Sequence, residues 1–263
     1  MMRKLLYLLL FISSTAFSQG KFTLIKTIDT GSDFFTSDNQ CNVYVVKGNE
    51  LTKYDKTGKE HYKYSNKNFG NINFVDASSM LRILVFYKDF LQVVLLDNTL
   101  SAIGDPINFE KVGFQQTQLV CSSHNNGVWI YDQQNFELLR FDQNVNKTQQ
   151  TGNLTSVLNV ALLPDFLLEH DNKVYLNNPL SGIMIFDVYG TYYKTIAVKN
   201  ALSIQPIGDW VYYKENDKIK SYNIKTTEEK EFNIPLSNIL NFRLEMGVLI
   251  LQTKNAISLF SAE

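Results

Sequence analysis

Cysteine is nearly absent from this chain, and what is missing narrows the reading before what is present does. Cys41 and Cys121 are the only two cysteines in 263 residues, so at most one disulfide can form and a buried core must hold the fold. The three histidines, His61, His124 and His170, are far apart. They lack the close-spaced pairs from which zinc or iron centres are built, so no residue is assigned to a metal. No Gly-x-Ser-x-Gly stretch marks a nucleophile, and no catalytic residue or cofactor is assigned. Past the first residues no apolar run approaches 18, so nothing there inserts into a membrane as a helix. The formal charge is −1, which gives no electrostatic footprint for nucleic acid or an anionic lipid surface.

The N-terminus reads as a leader. Arg3 and Lys4 precede the apolar run from Leu5 to Ile12, and Ala16-Phe17-Ser18 places small residues where a signal peptidase cuts. Residues 1–18 are therefore expected to be a signal peptide, with Gln19 the new N-terminus. No cysteine near that junction suggests a lipid anchor. The leader resembles those of Bacteroidota envelope proteins, which implies an exported, periplasmic protein.

What is abundant is a repeated phrase: an apolar strand, a polar turn, then a strand closing on a bulky apolar residue and a small polar one. The closing pairs are Tyr54-Asp55, Leu96-Asp97, Phe141-Asp142, Phe186-Asp187, Tyr222-Asn223 and Phe260-Ser261. A period near 40 residues made only of strands is that of a propeller blade. The expectation is an all-β fold, a six-bladed β-propeller occupying 19–263 as one domain. The last repeat stops after its third strand, and the segment Phe22 to Ile28 is a strand without a blade. The N-terminal strand should close the last blade and remove two sheet edges. Cys41 and Cys121 then fall in non-adjacent blades, too far apart to bridge, and are expected to be free and buried.

The first repeat, with Asp38, Val43-Tyr44-Val45-Val46 and Tyr54-Asp55-Lys56-Thr57-Gly58-Lys59, resembles the repeat of NHL-type six-bladed propellers. The likeness weakens in later repeats, where Gly190 is the best echo of Gly58. It specifies the fold more than the function.

Two groups of residues are candidate chemistry. Asp38, Asp76, Glu169, Asp209 and Glu245 recur near the ends of inner strands. They can form a carboxylate ring for a cation or, as expected here, accept backbone N–H groups of tight turns. Resemblance to lactonase-like propellers implies a metal at the opposite mouth. There the inner strands are expected to begin at Phe34, Asn73, Gln118, Asp165, Gln205 and Phe242, which supplies one carboxylate. Function is therefore expected on the loops joining blades, with Phe69, Phe109 and Phe114 as partner-binding anchors. Phe109 and Phe114 lie in Ile103 to Thr117, read as the longest inter-blade connection. The function expected is a non-catalytic protein-interaction module serving an outer-membrane barrel complex, in assembly or type 9 secretion. Ending at its last strand, the chain reads as machinery rather than cargo. A small-ligand or sugar sensor at the tunnel mouth is the alternative, and a metal-dependent lactonase-like hydrolase the second.

Overall fold

The computed structural model describes residues 22–262; the leader assigned to residues 1–18 lies outside them. Six four-stranded antiparallel sheets stand in a ring, forming a six-bladed β-propeller. Blade 1 is β2 (Phe34–Ser37), β3 (Val43–Lys47), β4 (Glu50–Tyr54) and β5 (Glu60–Ser65); blade 2 is β6 (Phe74–Asp76), β7 (Ile83–Tyr87), β8 (Gln92–Leu96) and β9 (Ile107–Asn108). Blade 3 is β10 (Thr117–Ser123), β11 (Gly127–Asp132), β12 (Glu137–Phe141) and β13 (Lys147–Gln150); blade 4 is β14 (Phe166–His170), β15 (Lys173–Asn178), β16 (Gly182–Asp187) and β17 (Tyr192–Ile196). Blade 5 is β18 (Leu202–Ile207), β19 (Trp210–Glu215), β20 (Lys218–Asn223) and β21 (Glu229–Phe232). Blade 6 joins β22 (Asn241–Glu245), β23 (Val248–Gln252) and β24 (Ala256–Ala262) to β1 (Phe22–Asp29).

The second strands read as unbroken apolar runs because neighbouring blades cover both of their faces: β7, Ile-Leu-Val-Phe-Tyr, is buried throughout. Outer strands such as β5 and β13 are mostly exposed, and polar. The closing Asp of four of the six phrases has a structural cause. Asp55 Oδ1 accepts the backbone N–H groups of Thr57 and Lys59. Asp97, Asp142 and Asp187 repeat this with the amides two and four residues on. The side chain thus supplies acceptors that the third-to-outer turn lacks. The fourth turn residue has a left-handed backbone, and is Gly58 or Gly190 in two blades but Leu100 and Val145 in two others. That is why the glycine of the phrase is not constant: Leu100 and Val145 bury apolar area there, which offsets the backbone strain.

Closure follows the expectation. β1 pairs antiparallel with β24, and Ile28 packs with Phe35, Val43, Val45 and Ile250, tying blade 6 to blade 1. The seam is also polar: Ser37 Oγ donates to Glu245 Oε1 at 2.8 Å, Cys41 Sγ to the Glu245 carbonyl at 3.2 Å, and Gln252 Nε2 to Ser32 Oγ at 2.9 Å. Cys41 and Cys121 are both free and buried, in blades 1 and 3. Burial pushes both thiols up.

Two placements differ from expectation. The segment Ile103 to Thr117 is not one inter-blade connection, because β9 lies inside it as the outer strand of blade 2; Pro106 accordingly sits within a blade. The longest connection is 151–165, between blades 3 and 4, with a five-residue helix α1 (Leu154–Leu158). In blade 5 a bulge between Leu202 and Gln205, with Ser203 left-handed, displaces the register. Leu202 therefore begins that inner strand, and Gln205 faces the other mouth.

Candidate functional site

A propeller offers two faces: one carries the inner-to-second and third-to-outer turns, the other the inter-blade and second-to-third connections. On the turn face, four of the five recurring acids are committed hydrogen-bond acceptors. Asp38 takes the amides of Gln40 and Asn42 and the Tyr44 hydroxyl, the last at 2.9 Å. Asp76 takes the amide of Ser78 and, from blade 3, that of Ser122 at 2.8 Å. Glu169 accepts from Ser123 Oγ and Trp129 Nε1, both at 2.6 Å, and from the His124 amide at 2.9 Å. Asp209, more exposed, pairs with Lys225. Local acceptance was expected; the reach of Asp76 and Glu169 into the neighbouring blade is visible only once the ring closes. Among the described residues no three His, Cys, Asp or Glu side chains converge to hold a metal.

Ser123, His124 and Glu169 form a group that sequence separation conceals. His124 Nδ1 lies 3.0 Å from Glu169 Oε1 and 3.3 Å from Ser123 Oγ. Both contacts fall on one ring nitrogen, and Ser123 Oγ donates its proton to the carboxylate while accepting from Arg140 Nε at 2.7 Å. A serine nucleophile needs its base on the second nitrogen of a histidine oriented through the first. The group therefore clamps blade 3 to blade 4 and does not activate a hydroxyl.

Midway along the tunnel, Phe74 of blade 2 and Phe166 of blade 4 meet edge to face, 6.2 Å apart. With Arg243 they line cavities on both sides, so the tunnel is plugged. The turn-face cavity is about 430 Å³, with Leu168, Gln205, Tyr212 and Glu245 in its walls. At the opposite mouth a space of about 310 Å³ holds Asn73, Gln118 and Asp165. Asn73 Oδ1 there accepts the Lys88 amide, and Asp165 Oδ1 the Asn177 side chain at 2.7 Å. Burial raises the Asp165 carboxyl. Phe34 is half-buried and Phe242 is fully buried between blades. One carboxylate, the engaged Asn73 oxygen and Gln118 do not make the ligand set that the lactonase resemblance implies.

The three aromatic residues expected as anchors are buried to different degrees. Phe109 has 0% of its surface exposed, packed in the core that joins blades 2 and 3, its ring 5.9 Å from that of Phe141. It is a core residue, because an 8-residue return to β10 folds its apolar bulk back under β8 and β12 rather than into water. Phe114 is half-buried, edge-on to Phe141 at 5.2 Å, and Phe69 half-buried against Tyr87 at 5.5 Å. Most of the large apolar side chains that the loop face exposes lie on blades 4 to 6: Val157 (63%), Leu163 (64%), Leu180 (51%), Leu202 (48%) and Leu240 (53%), against Phe90 and Val112 on blades 1 to 3. These are joined. The Leu163 amide donates to Asn178 Oδ1, the Asn200 amide to the Pro179 carbonyl, and Leu202 and Leu240 flank one cavity of about 300 Å³. The connections 151–165, 179–181, 197–201 and 233–240 carry only Asp165 and Lys199 as charges. Apolar residues scattered singly through unperiodic loops give no sequence signal, which is why this arc was missed.

No family model matches the chain, and no curated protein matches it in sequence. Solved structures do match in shape. The WD40 domain of Neurospora crassa Pan2 superposes with a TM-score of 0.67 at 9% identity, covering 92% of this chain and 95% of that one. A catalytically inactive virginiamycin B lyase from Staphylococcus aureus with quinupristin gives 0.62 at 13% identity, covering 92% and 99%. A Xanthomonas campestris gluconolactonase gives 0.63 at 10%, covering 90% and 89%. These likenesses establish the propeller fold. Because they include both a WD40 domain and enzymes, they assign no activity.

Proposed function

We propose that this chain is a non-catalytic protein-interaction module that docks a partner protein on the loop face of blades 4 to 6. The observation that carries the reading is the uncharged arc of Val157, Leu163, Leu180, Leu202 and Leu240 at that mouth. Interface cores are depleted of charge and rich in apolar groups. Covering one such half-exposed side chain contributes roughly 1–2 kcal/mol, so several together reach the lower part of the roughly 4–15 kcal/mol that association costs. The leader and its likeness to Bacteroidota envelope proteins support an exported, periplasmic protein. The reading then extends to an accessory of an outer-membrane barrel complex, in assembly or type 9 secretion, as the NHL-like repeat suits a scaffold. The test is affinity purification from solubilised envelopes, with wild type beside Leu163→Asp/Leu180→Asp/Leu240→Asp. Barrel proteins should co-purify with wild type and be lost with the triple variant at unchanged melting temperature. Recovery of the same partners by the variant would contradict the reading.

A further inference from the structure

We propose that the turn-face cavity binds a small zwitterion of the α-amino acid class, its carboxylate held by Arg243 and its ammonium group by Glu245. The inference is independent of the loop-face reading, and it starts from one side chain. Arg243 is half-buried and lines the cavities on both sides of the Phe74–Phe166 plug. A guanidinium has five N–H donors. The one protein acceptor seen for it is the Ile204 carbonyl of blade 5, 3.0 Å from Nη1. Glu245 and Asp76 act on it through space, but neither reaches ion-pair distance. Donors that face a cavity without a protein acceptor are free for a ligand, and a carboxylate fits the fork bidentately.

The neighbouring acids choose the ligand. A bare anion would meet two carboxylates beside one guanidinium, and a bare cation would meet Arg243. Asp76 has both oxygens taken by the amides of Ser78 and Ser122. Glu245 uses only Oε1, for Ser37 and Gln205, which leaves Oε2 as an acceptor for an ammonium group. A molecule carrying both charged groups on one carbon satisfies both ends. The plug of Phe74 and Phe166 and the walls at Leu168 and Tyr212 receive its side chain, and about 430 Å³ is ample for one amino acid.

The experiment is thermal-shift screening and calorimetric titration of the full mature protein with each standard L-amino acid. The deaminated carboxylate and decarboxylated amine of any hit are titrated alongside. At least one amino acid should raise the melting temperature, as ligand binding to the native state requires, and should bind at least about tenfold more tightly than either analogue. Arg243→Gln should weaken it at least about tenfold, and Glu245→Gln should erase the advantage over the deaminated analogue. Leu168→Trp, which keeps both charges and fills the cavity, should also abolish binding, and it carries the test if Arg243→Gln does not fold. The proposal is overturned if no amino acid stabilises the protein or if the deaminated carboxylate binds as tightly. It is equally overturned if binding survives Leu168→Trp.

Discussion

The two halves of the loop face handle apolar side chains in opposite ways. Blades 1 to 3 turn Phe69, Phe109 and Phe114 inward and leave Phe90 outside. The surrounding connections keep Lys67, Lys88, Asp89, Glu110 and Lys111 for water. Blades 4 to 6 have no prominent aromatic in their connections, yet leave four leucines and a valine outside, with Asp165, Lys199, Asp217 and Lys254 as the charges of those connections. Size explains the inversion. On the connections 66–73 and 109–116 a phenylalanine has enough apolar area to fold the loop onto its own blade, whereas Phe90 in the tight turn after β7 does not. By contrast, Val157 projects from a five-residue helix whose inward side is already anchored by Leu154. An exposed apolar patch, rather than an aromatic count, is the ground for the proposed docking surface.

The largest expected effect tests the ring on which both halves stand. Removing Phe22–Asp29 exposes the backbone edge of β24 and withdraws Ile28 from the seam between blades 6 and 1. The truncated chain should aggregate or lose cooperative melting, followed by light scattering and calorimetry; an unchanged melting temperature would refute closure as a structural need. Next in size, Phe109→Ala should destabilise the fold by about 3–5 kcal/mol in chemical denaturation. Below its lowered melting point it should keep its partner, because the ring lies in the core and not on the surface. A stability loss under about 1 kcal/mol would put Phe109 back among candidate anchors.

A smaller effect comes from the turns. Hydrogen bonds from Thr99 and the Ser101 amide hold the Asp97 carboxyl below the usual range, and the Asn146 amide does the same for Asp142. For Asp55, burial pulls upward, but the bonds from Thr57, His61 and the Lys59 amide outweigh it. A carboxyl lowered by folding stabilises the native state above its unfolded value, near pH 4. That contribution disappears as pH falls through the folded value. Stability should therefore decline progressively below about pH 4, and Asp142→Asn, which cannot ionise, should flatten the decline. An identical pH profile for the variant would show that these turns do not carry it.

The fold was legible because its signals are local and repeated: each Asp after a third strand caps its own turn, and each second strand is a short apolar run. Blade 5 was misread by one device, the bulge at Ser203, which moves Gln205 to the opposite mouth. Blade 2 was misread because β9 is two residues long, giving no period to read. The site was largely illegible. Glu169 meets Ser123 and His124, and Arg243 meets Ile204, only when distant repeats stand side by side. The leucine arc has no motif at all.

The most direct test places a photo-cross-linking amino acid in living cells at Leu163, Leu180 or Leu240, and separately at Phe90 or Val112 of the first half, which are also exposed. The account predicts a discrete adduct with one partner protein from the blade 4 to 6 positions and none from the other two. Adducts from Phe90 or Val112 alone, or equally from both halves, would contradict it.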